Sequence, residues 1–235
     1  MSLLTMIEDL SAELGISVPT QVIGASDDQT KQLLALANAE GRDLCSRYSW
    51  QALIVEKTFL TTAIELQGSI AAIVSAGDFK HIINDTLWNR SDNRFLSGST
   101  DLQRWQRVQS IGVTGPDEQY HMRAGNLYII PAPAASSTIA FFYKSTFWCQ
   151  SSGGAGQAAW ADDSDTGVLD EFIMGMGIRW RFLRAKGLDY AQEFDTYERH
   201  VQVAKAQDTG KKRINLGGPV DFGPGINVQN GNYSY

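Results

Sequence analysis

Residues 160–208 read WADDSDTGVLDEFIMGMGIRWRFLRAKGLDYAQEFDTYERHVQVAKAQD, and the organisation of the chain turns on them. Their apolar spacing predicts two consecutive helices with a sharp break between them. Lys186-Gly187 ends the first, because glycine takes the left-handed conformation that closes a helix. Asp189, with Gln192 three residues on, starts the second in a capping-box arrangement. In the first helix Val168, Leu169, Phe172, Ile173, Met176, Trp180 and Leu183 form one stripe. Met174, Ile178 and Phe182 form a second row on roughly the opposite side, at about 100° per residue. A helix apolar on two sides is either central in a bundle or in contact with another chain, and both readings stay open. Under the second, Met174, Ile178, Arg179 and Phe182 are the candidate subunit-interface residues. Arg179 lies close to the main stripe and needs an acidic partner if buried, with Asp170 or Glu171 of a neighbouring subunit as candidates. The second helix repeats Tyr190, Phe194, Tyr197, Val201 and Ala204, a single packing seam that reads as core.

Past Asp208 the chain changes character. Residues 209–235, TGKKRINLGGPVDFGPGINVQNGNYSY, hold too much glycine and proline for a helix and have no helical period. Lys211, Lys212 and Arg213 face only Asp221, so this arm is basic on an acidic body. Alone it cannot bury enough surface to fold. Yet Ile214, Leu216, Val220, Phe222, Ile226, Val228, Tyr233 and Tyr235 recur along it, where a solvating tail would be more polar. Spaced apolar residues in an extended segment suit docking into a partner, for instance by adding a strand to a sheet edge. An idle, frayed terminus is the alternative.

Upstream, Leu3, Ile7, Leu10 and Leu14 give a helical spacing closed by Gly15 and Pro19. Ser26 with Gln29 offers a capping box for a second helix running to about Trp50. Its apolar side carries Leu33, Leu36, Ala37, Leu44 and Tyr48, and its polar side Lys31, Arg42 and Arg47. Gly41 in its middle costs about 1 kcal/mol relative to alanine. From Ile54 the texture is β-branched, and SIAAIVS, HIINDTLW, YHMRA, LYIIP and STIAFFYK read as short strands of an antiparallel sheet or small sandwich. The clearest hairpin is Tyr120–Ala124, a Gly125-Asn126 turn, then Leu127–Ile130, with Thr138–Lys144 pairing back onto it. Leu102, Trp105 and Val108 mark one helix, near 101–109, capped from Ser99 to Asp101. Residues 151–159, SSGGAGQAA, read as a flexible connection.

The expected fold class is therefore α+β: a helical bundle of amino-terminal helices and a carboxy-terminal helix pair, an inserted antiparallel β-rich domain, and an extended carboxy-terminal arm. The boundaries fall at 1–53 and 151–208 for the helical parts, 54–150 for the β-rich part, and 209–235 for the arm.

The chain has 235 residues, 43% hydrophobic and 20% charged, ordinary for a globular protein of one large or two small domains. Its net charge of −6 makes it a poor candidate for gripping nucleic acid by neutralising phosphates. No apolar run approaches a membrane span, and MSLLTMIEDLSAEL has no basic lead of a secretory signal. Cys45 and Cys149 lie far apart, and reduced, buried thiols suit them better than a disulfide.

Patterns for chemistry are weak. Asp162, Asp163 and Asp165 resemble the start of a calcium loop, but the position that needs a glutamate holds Ile173. They read instead as negative charge at a helix N-terminus. His81, His121 and His200 have no ligand spacing; His121 in a strand and His200 on a helix read as surface or interface residues. Trp88, Asn89 and Arg90, and then RWQRV, put aromatics beside arginines, a pattern that marks either base stacking or ordinary packing and protein contacts. Asp170 and Glu171 are adjacent on a helix and diverge, poor geometry for acid–base work. No catalytic, metal or cofactor residue is assigned, and no enzyme activity is expected.

Taken together, MSLLTMIEDLSAELGI, QTKQLLALANAEGRDLCSRYSWQAL, NDTLWNR, NLYIIPAPAASSTIAFFYKS and LDEFIMGMGIRWRFLRAKGLDYAQEFDTYE resemble the head-to-tail adaptor, or connector, proteins of tailed bacteriophages. The resemblance covers about residues 2–208, and is similar in order to the tail tubular protein A group. Its motifs are loose singly and more specific in joint order. It implies a helical part with an inserted β-rich part, and a ring, commonly of twelve copies, seated below the portal in the virion neck. The partners it implies are the portal protein, further copies of the chain, a tail or neck protein below, and double-stranded DNA that slides through the channel without specific binding. Such a protein is made in the host cytoplasm and needs no cofactor. The resemblance also implies an extended carboxy-terminal arm by which such adaptors often grip the portal, and residues 209–235 are the only candidate for it here. Competing readings are a stopper, tail-completion or tail nozzle ring, a carbohydrate-binding or hydrolytic β-module, and a DNA-binding protein.

Overall fold

The computed structural model describes residues 1–98, 101–111 and 118–208. In chain order these form α1 (Leu3–Leu14), α2 (Asp28–Arg47), β1 (Ile54–Leu60), β2 (Leu66–Ser69), α3 (Ile70–Ile73), β3 (Phe79–Ile82), β4 (Trp88–Asn89) and β5 (Arg94–Phe95). Then follow α4 (Leu102–Ile111), β6 (Gln119–Arg123), β7 (Asn126–Ile130), β8 (Thr138–Ser145), β9 (Cys149–Gln150), β10 (Gly156–Gln157), β11 (Thr166–Gly167), α5 (Glu171–Ala185) and α6 (Ala191–Asp208). The class is α+β, and every pairing between these strands is antiparallel.

Helix ends follow local chemistry. Ser2 accepts from the Thr5 amide to start α1, and Gly15 at φ 66° closes it. Asp27 caps α2 by accepting from the Thr30 amide at 2.9 Å, one residue later than the expected Ser26. A carboxylate there gains from the helix dipole as well as from the hydrogen bond. The break between α5 and α6 falls at Gly187, φ 71°, where the sequence places it.

Apolar side chains gather in two clusters. In one, Leu3 and Ile7 of α1 meet Leu33, Ala37 and Leu44 of α2, Met174 and Ile178 of α5, and Tyr197 and Val201 of α6. Helix α5 packs against α1, α2 and α6 at once, which makes it the central helix of the bundle. In the other, Leu87, Leu96, Tyr120, Leu127, Ile129, Ile139 and Phe141 fill the space between the sheets.

The first sheet runs β1-β8-β4-β5, with β3 also on β8, in a register from Ile54↔Lys144 to Leu60↔Thr138. A second runs β2-β7-β6, and a small third runs β10-β9-β11. Four expectations are corrected. Thr138–Lys144 pairs with β1 rather than with the hairpin at Ile130. The hairpin turn is Ala124-Gly125, at φ 49° and 75°, so Arg123 pairs with Asn126. SIAAIVS forms α3, because Ser69 accepts from the Ala72 amide and caps a turn. Residues 151–159 include β10, whose Gln157 pairs with Cys149.

Two glycines record how tightly the helices meet. A Cβ on Gly41 of α2 would run into the Trp148 ring, so the glycine that looked merely costly is what seats that indole. A Cβ on Gly177 of α5 would run into the Glu40 carboxylate of α2, whereas one on Gly175, two residues earlier, meets nothing within 4 Å. Gly175→Ala is expected to stabilise the fold by about 0.5–1 kcal/mol through helix propensity. Gly177→Ala is expected to destabilise it by about 1–3 kcal/mol, since overpacking exceeds that gain. Urea unfolding of the two variants checks this, and equal shifts for both would refute the packing of α5 on α2.

Candidate functional site

Because α5 is wrapped by α1, α2 and α6, its second apolar row has no free side. Met174 and Ile178 are fully buried and Phe182 nearly so, all inside the same chain. The expectation that they meet a neighbouring subunit is corrected: they are core residues, enclosed by the other helices of their own bundle. Arg179 sits at the rim instead, with two acidic partners in its own chain. Its guanidinium reaches Glu13 of α1 at 3.0 Å and Glu193 of α6 at 3.2 Å.

What α5 does leave open is part of the row read as main stripe. Phe172 is 64% exposed, and Met176 is only half-buried. With Gly175 between them they form one wall of a groove of about 540 Å³, lined also by Met6, Leu10, Thr196 and His200. His200 stands edge-on to the Phe172 ring, their centroids 5.6 Å apart. Five carboxylates line the same groove: Asp9, Glu13, Asp170, Glu171 and Glu193. Against them stand Arg179 and the Met1 amino group, which lies 2.7 Å from Glu171. The result is an apolar floor with an acidic surround. Sequence reading missed it because Phe172 and Met176 keep core spacing. The one signal was Gly175, a glycine mid-helix that no close packing accounts for.

A second hollow, of about 310 Å³, is lined by Leu44, Trp50, Leu169, Ile173 and Ala204, together with Asp170 and Asp208. Asp170 belongs to both hollows, so together they follow α6 from its last residue to its first turn. Asp208 is held in place by the Gln51 amide, which donates to its carboxylate at 2.9 Å. Residues 209–235, and with them every arm residue named above from Lys211 to Tyr235, lie outside the described residues.

Beneath the groove lies a polar network. Glu40, fully buried, accepts from the Tyr197 hydroxyl at 2.5 Å and from Arg181 Nε at 2.6 Å. Burial pushes its carboxyl up from the ordinary value, and the hydrogen bonds from Tyr197 and Arg181 oppose that. Burial works against the charge on Arg47, but hydrogen bonds to Glu198 and Asp43 outweigh it and hold its pKa up. These pairings connect α2, α5 and α6.

The remaining candidates resolve locally. Asp163 accepts from the Val22 and Ile23 amides, and Asp165 from those of Ala161 and Asp162. The backbone carbonyls of Asp165 and Asp163 receive the Leu3 and Leu4 amides, so this acidic loop caps the backbone of α1, not α5. Among the described residues no group of three His, Cys, Asp or Glu is placed to hold a metal ion. His121, expected at a surface or interface, is buried against Trp105 of its own chain, with ring centroids 5.2 Å apart. Trp105 is itself buried, and Trp88 is half-buried with its ring against Phe95. Arg90 is bound to Glu56. No described helix is long and apolar enough to cross a membrane.

No family model and no curated protein sequence matches the chain. What can be said of its role therefore rests on its own residues.

Cys45 and Cys149 are buried and unpaired by disulfide. Burial, with Asp165 nearby, pushes the Cys149 thiol up to about 12, and burial also raises Cys45. Thiolate is the reactive form, so near neutral pH both are expected to resist alkylation in the folded chain and to react within minutes in denaturant. Intact-mass measurement after iodoacetamide checks this, and a native adduct would show that one of the two sites opens.

Proposed function

We propose that this chain is a structural protein of the virion neck of a tailed bacteriophage, a head-to-tail adaptor that forms a ring joining portal to tail. The observation that carries the reading is architectural. Helices from both ends of the sequence build one bundle around α5, and an antiparallel β-rich segment is inserted between them. That is the arrangement expected of an adaptor. The function is mechanical: copies of the bundle stand side by side, and the DNA channel continues through their centre.

Two further features support it. The net charge of −6 suits a wall past which DNA slides, since like charge keeps phosphates from sticking. The chain leaves α6 at Asp208, and a basic, apolar-dotted segment follows, suited to insertion into a neighbouring protein. In this reading residues 209–235 grip the portal, a tail or neck protein binds below, and the β-rich part belongs to the ring body.

The test is assembly. The purified chain mixed with isolated portal rings is expected to form a coaxial second ring visible by electron microscopy. Deletion of residues 210–235 is expected to leave the bundle's thermal midpoint nearly unchanged while portal attachment falls at least about a hundredfold, the loss of about 2.7 kcal/mol of binding. A chain that stays monomeric beside portal, or a truncated chain that still binds at full affinity, would sink the respective part of the reading.

A further inference from the structure

We propose that residues Lys211–Leu216 fold back into the acid-surrounded groove between α1, α5 and α6 of their own chain, rooting the arm on its own bundle. The inference rests on the reading of residues 209–235 as a docking arm, and adds where that arm is anchored.

Three observations meet here. The first is chemical fit. The groove carries the five carboxylates around an apolar floor at Phe172, Gly175 and Met176. The sequence KKRINL offers three adjacent cations followed by two spaced apolar residues, Ile214 and Leu216. Glu13 and Glu193 already share Arg179, and Glu171 holds the Met1 amino group, which leaves Asp9 and Asp170 for further cations.

The second is reach. Phe172 faces His200 and Arg179 faces Glu193, so α5 and α6 run antiparallel past each other. His200 lies eight residues before Asp208, about 12 Å along the helix. Lys211–Arg213 lie three to five residues after Asp208, about 10–18 Å of extended chain, which brings them level with Asp170 and Glu171. Gly175 stands about 17 Å back from Asp208, and Leu216 reaches about 27 Å, enough to arrive beside it with slack.

The third is continuity. The hollow lined by Ala204 and Asp208 passes into the groove at Asp170, so the path from α6 to the groove runs over a surface already concave. Covalent connection also gives the segment an effective local concentration in the millimolar range, which favours it over the same segment of a free second copy. Gly217-Gly218-Pro219 then supplies the change of direction, and the residues beyond remain for the portal.

The experiment is cysteine trapping in the full chain without portal. Gly175→Cys is tolerated because a side chain there meets nothing, and Cys45 and Cys149 are buried. Under mild oxidant the double variant Gly175→Cys/Leu216→Cys is expected to close within one chain, read as a faster-migrating monomer and a tryptic cross-linked peptide. His200→Cys/Lys212→Cys is a second pair, with His200 exposed on α6, that keeps the test valid if the first perturbs α5. Reversing Lys211, Lys212 and Arg213 to Glu is expected to slow closure about tenfold, equivalent to about 1.4 kcal/mol. No closure in either pair would overturn the proposal. So would cross-links that form only between copies when the single-cysteine chains are mixed; that outcome would hand the groove to a neighbour's arm. Portal attachment is scored separately. Closure without attachment would retain the root and discard the adaptor, and attachment without closure would do the reverse.

Discussion

The carboxylate of Glu40 is the constraint on which the bundle depends. It is buried where α2, α5 and α6 converge, and it takes hydrogen bonds from Tyr197 at 2.5 Å and Arg181 at 2.6 Å. Arg181 in turn reaches Asp43 at 2.7 Å, and Asp43 pairs with Arg47, which binds Glu198. Each residue holds the next in place, and the chain of pairings ends on α6 at both Tyr197 and Glu198. A buried ion pair adds little net stability, but removing one partner leaves an uncompensated charge and costs about 3–5 kcal/mol. The network therefore works as a register device. Helix α6 has only Tyr197 and Val201 fully buried, so apolar packing alone would let it slide or rotate on α5. Gly177 is what makes the device possible, since any side chain there would displace the carboxylate.

The β-rich segment is joined to this bundle by a second set of polar contacts. Lys144 of β8 is buried and donates to the Tyr48 carbonyl at 2.7 Å, just past the end of α2. Burial pulls its pKa down, so the Tyr48 carbonyl stabilises a charge the surroundings disfavour. Next to it Ser145 and Tyr143 both donate to Asp78. Three residues further, Trp148 fits over Gly41 of α2. The strand that pairs with β1, β3 and β4 thus runs directly into the helical core, and β8 is the member common to both parts.

This explains which features were legible in the sequence. Local signals transferred: the αL glycines at Gly15 and Gly187, the Tyr197–Val201 seam and the presence of a hairpin ending at Ile130, though not its turn register, depend on neighbours a few residues away. Pairing between distant segments did not. Thr138–Ser145 could meet either the hairpin or Ile54–Leu60, since both are β-branched and of suitable length, and only the completed sheet decides. SIAAIVS has strand composition, yet one serine at the right place makes a helical turn cheaper. Glu40 and Gly177 are 137 positions apart by their numbers, 177 − 40, and nothing in either local pattern couples them.

The two-sided helix shows the same limit from the other direction. A helical wheel establishes that α5 is apolar on both sides, but not which side the fold covers. Coverage is set by the neighbours. The network on α2 draws α5 in through Gly177, and this encloses Met174 and Ile178, which lie near it on the wheel. Helices α1 and α6 flank it and are bridged by Arg179 through Glu13 and Glu193, a clamp that ties their rims without filling the space between. Phe172, Gly175 and Met176 are left as the floor of that space. An alanine or leucine at position 175 would raise helix propensity or add burial, so a bare backbone there is unexplained by stability of the described bundle. A floor without a side chain is what close approach of another backbone requires. The groove is thus a consequence of how the buried charge seats α5.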